Sequence, residues 1–357
     1  MLCLFFIFAS PVFLTSDFKF LSSPTMEREV VLSGIRPTGF VHLGNYFGAV
    51  NNWVKMQQIY NCFFSVVDWH SLTTHPDTKG LRENVHRLLS ELLASGIDPE
   101  KCALFIQSDI PEIAELYLYL NMLSYKGELE KTPTFKDKVR QNPDNVNAGL
   151  LTYPVLMAAD ILVHRAVKVP VGKDQEQHVE MTRNLAERFH HRYGEVFPMP
   201  QTFNFGHDLV KIMSLDGNGK MSKSENHMNT LYIADEDEQI RKKIMKAKTN
   251  SGPSEPGSEM PPYIANLFTL MQLVSKPEVY EKFKEDFEHA SIRYGDLKKQ
   301  LAEDMVDFIR PIRERSKEIQ ADQAYLAGVI KTGAEKARES ADATLKLVRQ
   351  AMGLKYI

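Results

Sequence analysis

Two short stretches carry residues whose types and spacing could do chemistry. In "SLDGNGKMSKSENH" (Ser214–His227), Lys220 and Lys223 bracket a methionine and a serine behind Gly217 and Gly219. Ammonium groups on flexible stems suit the oxygens of a polyphosphate, and the glycines let such a loop swing in and out. Far upstream, "SGIRPTGFVHLGN" (Ser33–Asn45) sets His42 and Asn45 at a helix start among Gly34, Gly39 and Gly44. Backbone N–H groups there already favour phosphate, and glycine lets the main chain approach a ligand closely.

A third stretch, "TYPVLMAAD", spaces Tyr153, Met157 and Asp160 four and three residues apart, on one helix face. An ionised carboxylate only accepts hydrogen bonds, which suits a ligand with a single N–H donor such as an indole. Methionine packs well against aromatic edges. An aspartate on an apolar face needs a partner, so Asp160 is either ligand-facing or capping a neighbour.

The elements that must position these residues alternate. "REVVLSGI" reads as a buried strand, "YFGAVNNWVKMQQIY" as a helix, and "NCFFSVVDWHSL" as a second strand with a polar end at Asp68 and His70. "GLRENVHRLLSELLASGI" is an amphipathic helix stopped by Gly96, and "CALFIQSDI" is a third strand. Strands alternating with helices of this length imply βαβ units and a mostly parallel sheet. From Ile113 to Arg140 the pattern is helical. "LLTYPVLMAADILVH" reads as a helix kinked at Pro154, "AVKVPVG" as a short strand and "QEQHVEMTRNLAERFHHRYG" as a helix. Beyond Asp235 helical patterns dominate, interrupted by the Gly/Pro/Ser linker Thr249–Pro262. The fold class is α/β: a Rossmann-like parallel-sheet domain over 27–228 with a helical insertion, then an α-helical region over 229–357.

Composition is that of a soluble globular chain, 43% hydrophobic and 25% charged over 357 residues. A net charge of −3 provides no global basic field, so any nucleic-acid contact must come from local patches. Two basic runs fit that role, "IRKKIMKAK" (240–248) and "IRPIRERSK" (309–317). Three scattered cysteines offer no disulfide framework and no CxxC metal pair. Residues 1–26 are apolar, sprinkled with Ser and Thr, and contain no arginine. Their apolar run is too short to span a bilayer. They read as a removable or disordered leader, or an exposed tail, with Met26 a candidate internal start.

The order PxGxxHxGN then KMSKS resembles the paired signatures of class I aminoacyl-tRNA synthetases, with "HLGN" in the variant form of the small Trp/Tyr subgroup. "VDWHSLT", "GLLTYPVLMAADIL", "VPVGKDQEQHVEMTRNLAERF", "IRPIRERS" and "AMGL" extend the resemblance to the tryptophanyl enzymes of bacterial and organellar type over nearly everything after Met26. Tyrosyl relatives usually carry glutamine where Met157 stands. They remain an alternative, as does a paralogue that binds RNA or nucleotide without catalysis.

The resemblance implies activation of tryptophan by ATP with Mg²⁺, transfer to tRNA(Trp), a homodimer, anticodon recognition by the C-terminal helices, and no membrane. It implies catalytic roles for His42, Asn45, Lys136, Lys220 and Lys223. An ATP site would comprise Arg36, Pro37, Thr38, Gly44, Asn45, Gly172, Lys173, Asp174, Ile212, Lys220, Met221, Ser222, Lys223 and Ser224. Relatives often have glutamine in place of Arg36. A tryptophan site would comprise Gly34, His70, Tyr153, Met157, Asp160, Val169, Val171 and Gln175. No protein-bound metal is expected. A bacterial-type sequence behind a leader implies the mitochondrial matrix, with the cytoplasm as alternative.

Overall fold

The computed structural model describes residues 28–141, 143–172, 175–205, 212–221 and 227–354. The first apolar run forms β1 (Val30–Ile35), which ends in the loop to α1 (Leu43–Asn45). His42 caps that helix, its Nδ1 accepting from the Asn45 N–H at 3.2 Å. The helix starts earlier than the pattern suggests and widens into a π-helical turn (Tyr46–Val50) before α2 (Asn51–Met56). Such turns recur at functional sites.

Next come β2 (Asn61–Val66), α3 (Asp68–Leu72), α4 (Leu81–Ala94) and β3 (Cys102–Ile106). The helical insertion follows as α5 (Pro111–Met122), α6 (Lys126–Glu130), α7 (Pro133–Gln141) and α8 (Ala148–Val163). The chain then re-enters the sheet as β4 (Lys168–Val169), crosses over through α9 (Glu176–Tyr193) and lays down β5 (Gln201–Thr202). Only two residues of "AVKVPVG" pair as a strand, and β5 gives no sequence signal because it is equally short.

All strands are parallel, in the order β3-β2-β1-β4-β5. The chain steps outward from β1 to β3, then returns to place β4 against the other side of β1. The direction of winding therefore reverses between β1 and β4, where open parallel sheets bind ligands beyond their carboxyl ends.

The C-terminal region is helical: α10 (Asp237–Met245), α11 (Pro262–Val274), α12 (Pro277–Glu288), α13 (Tyr294–Ala321) and α14 (Gln323–Met352). Its core is continuous with that of the sheet: one apolar cluster runs from Val31 and Val66 through Ile233 and Leu270 to Val329. α14 folds back over the edge strand β3, where the Lys336 ammonium donates to the carbonyls of Pro99 at 2.5 Å and Cys102 at 3.3 Å. A covered edge cannot recruit another strand. Among the described residues no helix is long and apolar enough to cross a membrane.

The two basic runs are not open cationic faces. Arg241 pairs with Glu238 at 2.7 Å and Glu303 at 2.8 Å, and Lys243 is buried against Asp235 at 2.7 Å. Arg310 and Arg313 both engage Asp237, and Lys317 engages Glu236. Several of these partners come from elements distant in sequence, which a local charge count cannot see. Lys242, Lys246 and Lys248 stay exposed, and the paired side chains of Arg310, Arg315 and Lys317 are themselves about half open to solvent.

Candidate active site

At the reversal between β1 and β4 lies a cavity of about 530 Å³. Its walls come from the end of β1 (Gly34, Ile35, Arg36), from α1 and the π turn (Gly44, Asn45, Gly48), and from α8 (Tyr153, Met157, Asp160). β4 and the loop after it add Val169, Val171, Gly172 and Gln175, and Lys220 reaches in from the Ser214–His227 stretch. Residues nearly two hundred apart in sequence thus converge on one space: most sit at a strand's carboxyl end or on a helix facing it, and Lys220 on a hairpin beside it.

Asp160 is 5% exposed and tightly held. The His70 Nε2 lies 2.8 Å from Asp160 Oδ2, and the Gln107 amide donates to both carboxylate oxygens, at 2.8 and 3.0 Å. A carboxylate offers about four lone-pair sites, so these donors orient it and leave room for one more. Gln107 is fully buried. It follows β3 directly and carries no motif signal; its role is set by a partner 53 residues away.

Around Tyr153 runs a second network. The Gln175 Oε1 lies 2.7 Å from His178 Nδ1, and His178 Nε2 receives the Tyr153 hydroxyl at 2.8 Å and the Thr134 hydroxyl at 3.0 Å. With the amide oxygen accepting from Nδ1–H, Nε2 is the acceptor, and its single lone pair is shared between the two hydroxyls. Tyr153 thereby presents a fixed ring to the cavity, and the Lys138 ammonium stacks over that ring 3.5 Å from its centroid.

Lys138 and Arg36 form the cationic wall. Burial, reinforced by the Arg36 charge, pulls the Lys138 ammonium down to about 8. Burial likewise holds the Arg36 guanidinium below its ordinary value, with Tyr153 opposing. Among the described residues neither pairs with a carboxylate. A half-buried lysine and an exposed arginine that repel each other across one cavity are a site for an anion. Asn45 belongs to the same wall; its buried Oδ1 has no hydrogen-bond partner among the described residues, which leaves the amide available to a ligand.

The remaining expected residues fall differently. Lys136 is exposed and does not line the cavity; Lys138, two residues on and about 200° round the helix, does. His42 is 4% exposed, caps α1 through Asn45 N–H and bridges Tyr232. A Cβ on Gly44 would sit 2.9 Å from His42 Nδ1, so only glycine fits between this ring and the cavity. Pro37, Thr38, Ile212 and Met221 back the site without lining it; the last two are buried and hydrogen-bonded across a hairpin. Lys173, Asp174, Ser222, Lys223 and Ser224 lie outside the described residues.

A parallel sheet with this reversal, an oriented buried carboxylate and a cationic wall beside a capped, glycine-lined helix start define a nucleotide-handling α/β site. The chain belongs to the class I tryptophanyl and tyrosyl tRNA synthetase family: residues 25–310 match the family described as tRNA synthetases class I (W and Y). It is 57% identical over 328 residues to the tryptophan–tRNA ligase of Porphyromonas gingivalis, covering 92% of this chain and 100% of that one. It is 42% identical to the tryptophan–tRNA ligase of Helicobacter pylori, again over 92% of this chain and 100% of that one. The tryptophanyl-tRNA synthetase of Campylobacter jejuni, solved with ADP and tryptophan, superposes with a TM-score of 0.82 at 32% identity, covering 91% of this chain and 99% of that one.

Proposed function

We propose that this chain is an ATP-dependent tryptophan–tRNA ligase. The observation that carries this is the buried Asp160 carboxylate, oriented by Gln107 and His70, in one cavity with the cations Arg36, Lys138 and Lys220. Asp160 takes the indole N–H, and the apolar side chains of Met157, Val169 and Val171 enclose the ring. The amino-acid carboxylate is already an anion at neutral pH, so no general base is needed. Its oxygen bonds to the α-phosphorus of ATP as the bond to the bridging oxygen of pyrophosphate breaks. Catalysis then rests on alignment and on cations facing the charge that develops on the leaving group. The resulting adenylate passes its acyl group to the terminal ribose hydroxyl of tRNA(Trp), releasing AMP. Mg²⁺ accompanies the nucleotide as part of the substrate.

Amino-acid-dependent exchange of pyrophosphate into ATP, run across a panel, tests this. Exchange with tryptophan alone is expected. Exchange with tyrosine overturns the specificity, and exchange with no amino acid overturns the activity.

The homodimer belongs to the same proposal. Leu118 and Met122 on α5, with Tyr125 and Val146 nearby, are large apolar side chains between 48 and 71% exposed, a surface suited to a second copy. Leu118→Asp together with Met122→Asp is expected to halve the mass measured by light scattering; an unchanged mass refutes this surface. The matrix location remains a proposal resting on residues 1–26, outside the described residues. A reporter fused to that segment and found outside mitochondria refutes it.

A further inference from the structure

We infer that Asn266 is a positioning residue that sets where Lys220 points, an inference that rests on the ligase function proposed above. Lys220 is carried on a two-stranded hairpin over residues 212–221. Met213 and Lys220 face each other across it, flanked by hydrogen bonds from Ser214 N to Gly219 O at 3.1 Å and from Met221 N to Ile212 O at 3.0 Å. In an antiparallel pair of this kind the two facing residues bond to each other through neither N–H nor C=O; those groups point outward. The outward groups of Met213 need a partner, and among the described residues no third strand supplies one. Asn266 does. Its Oδ1 accepts from Met213 N at 2.9 Å, and its Nδ2 donates to Met213 O at 3.1 Å. The side chain thus completes both main-chain bonds that a neighbouring strand would make, and it does so while 4% exposed.

A second contact from the same helix face fixes the turn. Tyr263 stands three residues before Asn266 on α11, so both face the hairpin. A Cβ on Gly217 would lie 2.6 Å from the Tyr263 Cβ, and Gly217 has a φ of +77° that favours glycine. α11 therefore touches the hairpin at its turn and at Met213. The side-chain period of a strand is two, so a slip of one residue turns every side chain to the opposite face. Asn266 grips one residue of the hairpin, Met213, by its N–H and its C=O, which selects the register that puts Lys220 into the cavity. No part of Asn266 lines the cavity itself.

The test is a double-substitution cycle in the full chain, read by tryptophan-dependent pyrophosphate exchange. Asn266→Leu keeps the side-chain volume near native and removes both bonds. It is expected to lower kcat/KM for ATP about tenfold, with KM for tryptophan unchanged within about twofold. In a Lys220→Ala background the same substitution is expected to cost no more than about twofold, because the group it positions is already gone. A residue that merely supports the fold would cost the same factor in both backgrounds. Should Asn266→Leu not fold, Asn266→Asp keeps the acceptor and loses the donor, and the cycle is run with it. A wild-type rate for either folded variant, or equal losses in both backgrounds, overturns the assignment. Wild-type protein that exchanges with no amino acid overturns instead the function on which the assignment rests.

Discussion

Gln107 donates from one side-chain amide to both oxygens of Asp160, and the carbonyl of that amide accepts the His70 N–H at 3.4 Å. Gln107 is thus the link between the end of β3, α3 and the carboxylate on α8. Replacing it with leucine keeps the space filled but leaves Asp160 with His70 as its remaining partner of the two. Gln107→Leu is expected to raise KM for tryptophan about tenfold, the scale of a lost charge-assisted hydrogen bond, while KM for ATP stays within about twofold. Asp160→Ala should be more severe in the same direction. Steady-state exchange with each substrate varied in turn decides this; equal losses for both substrates would make Asp160 and its partners structural.

Lys138 and Lys136 offer a paired comparison. Lys138→Met is expected to reduce exchange about a hundredfold through loss of charge at the cationic wall, whereas Lys136→Met stays near wild type. The protonated amine is the form that attracts phosphate, and burial brings its titration down to about 8. Affinity for ATP is therefore present below pH 8 and falls as pH rises through that value. A plot of kcat/KM for ATP, which reports the free enzyme, should bend downward near pH 8, and Lys138→Arg should move the bend to higher pH. A bend that stays in place in Lys138→Arg assigns it to another group.

Much of this site was legible because its signals are local. The strand–glycine loop–helix unit at Ser33–Asn45 and the helical spacing of Tyr153, Met157 and Asp160 each fit within a few turns of chain. What stayed hidden depends on phase or on distance. Telling that Lys138 rather than Lys136 lines the cavity requires knowing that α7 starts at Pro133, since two positions rotate a side chain to the other face. Gln107 is silent because its ligands, His70 and Asp160, are contributed by α3 and α8. The ion pairs within the basic runs are hidden for the same reason: Glu303 pairs with Arg241 from 62 residues away. β5 pairs through only two residues, too few for any alternation to register.

His164 predicts how stability follows pH. It closes α8, is 2% exposed, stacks on Phe63 with centroids 4.5 Å apart, and its Nδ1 lies 3.3 Å from the Ser340 hydroxyl of α14. Burial pushes its imidazole from the usual 6.5 down to about 3. Below pH 6.5 the unfolded chain therefore takes up a proton that the folded chain refuses. Stability present above pH 6.5 is lost progressively as pH falls toward 3. Between pH 7 and pH 5 the loss is expected to be about 2 kcal/mol. Urea unfolding at the two pH values should show it, and His164→Leu should flatten the difference even though it loses packing. An unchanged pH slope in that variant would assign the effect to other groups.

Two glycines of α14 are expected to respond in opposite directions to the same substitution. Gly333 lies directly on β3: a Cβ there would stand 1.8 Å from the Leu104 carbonyl oxygen and 2.7 Å from its carbon. Both are backbone atoms of a sheet strand and cannot step aside. Gly333→Ala must lift α14 off the edge of the sheet, straining the bidentate Arg349–Glu115 pair at 2.7 and 2.5 Å and the Arg338 bond to the Asp109 carbonyl at 2.7 Å. A loss of about 3 kcal/mol is expected, at the upper end of overpacking costs. Gly328, on the same helix, is exposed and has nothing within 4 Å of its Cβ position. Gly328→Ala should stabilise by about 0.5–1 kcal/mol, since glycine inside a helix carries an entropic penalty relative to alanine. Because β3 runs straight into Gln107, Gly333→Ala should also raise KM for tryptophan, whereas Gly328→Ala should leave it unchanged. Equal effects of the two substitutions on unfolding would refute the close approach of α14 to β3.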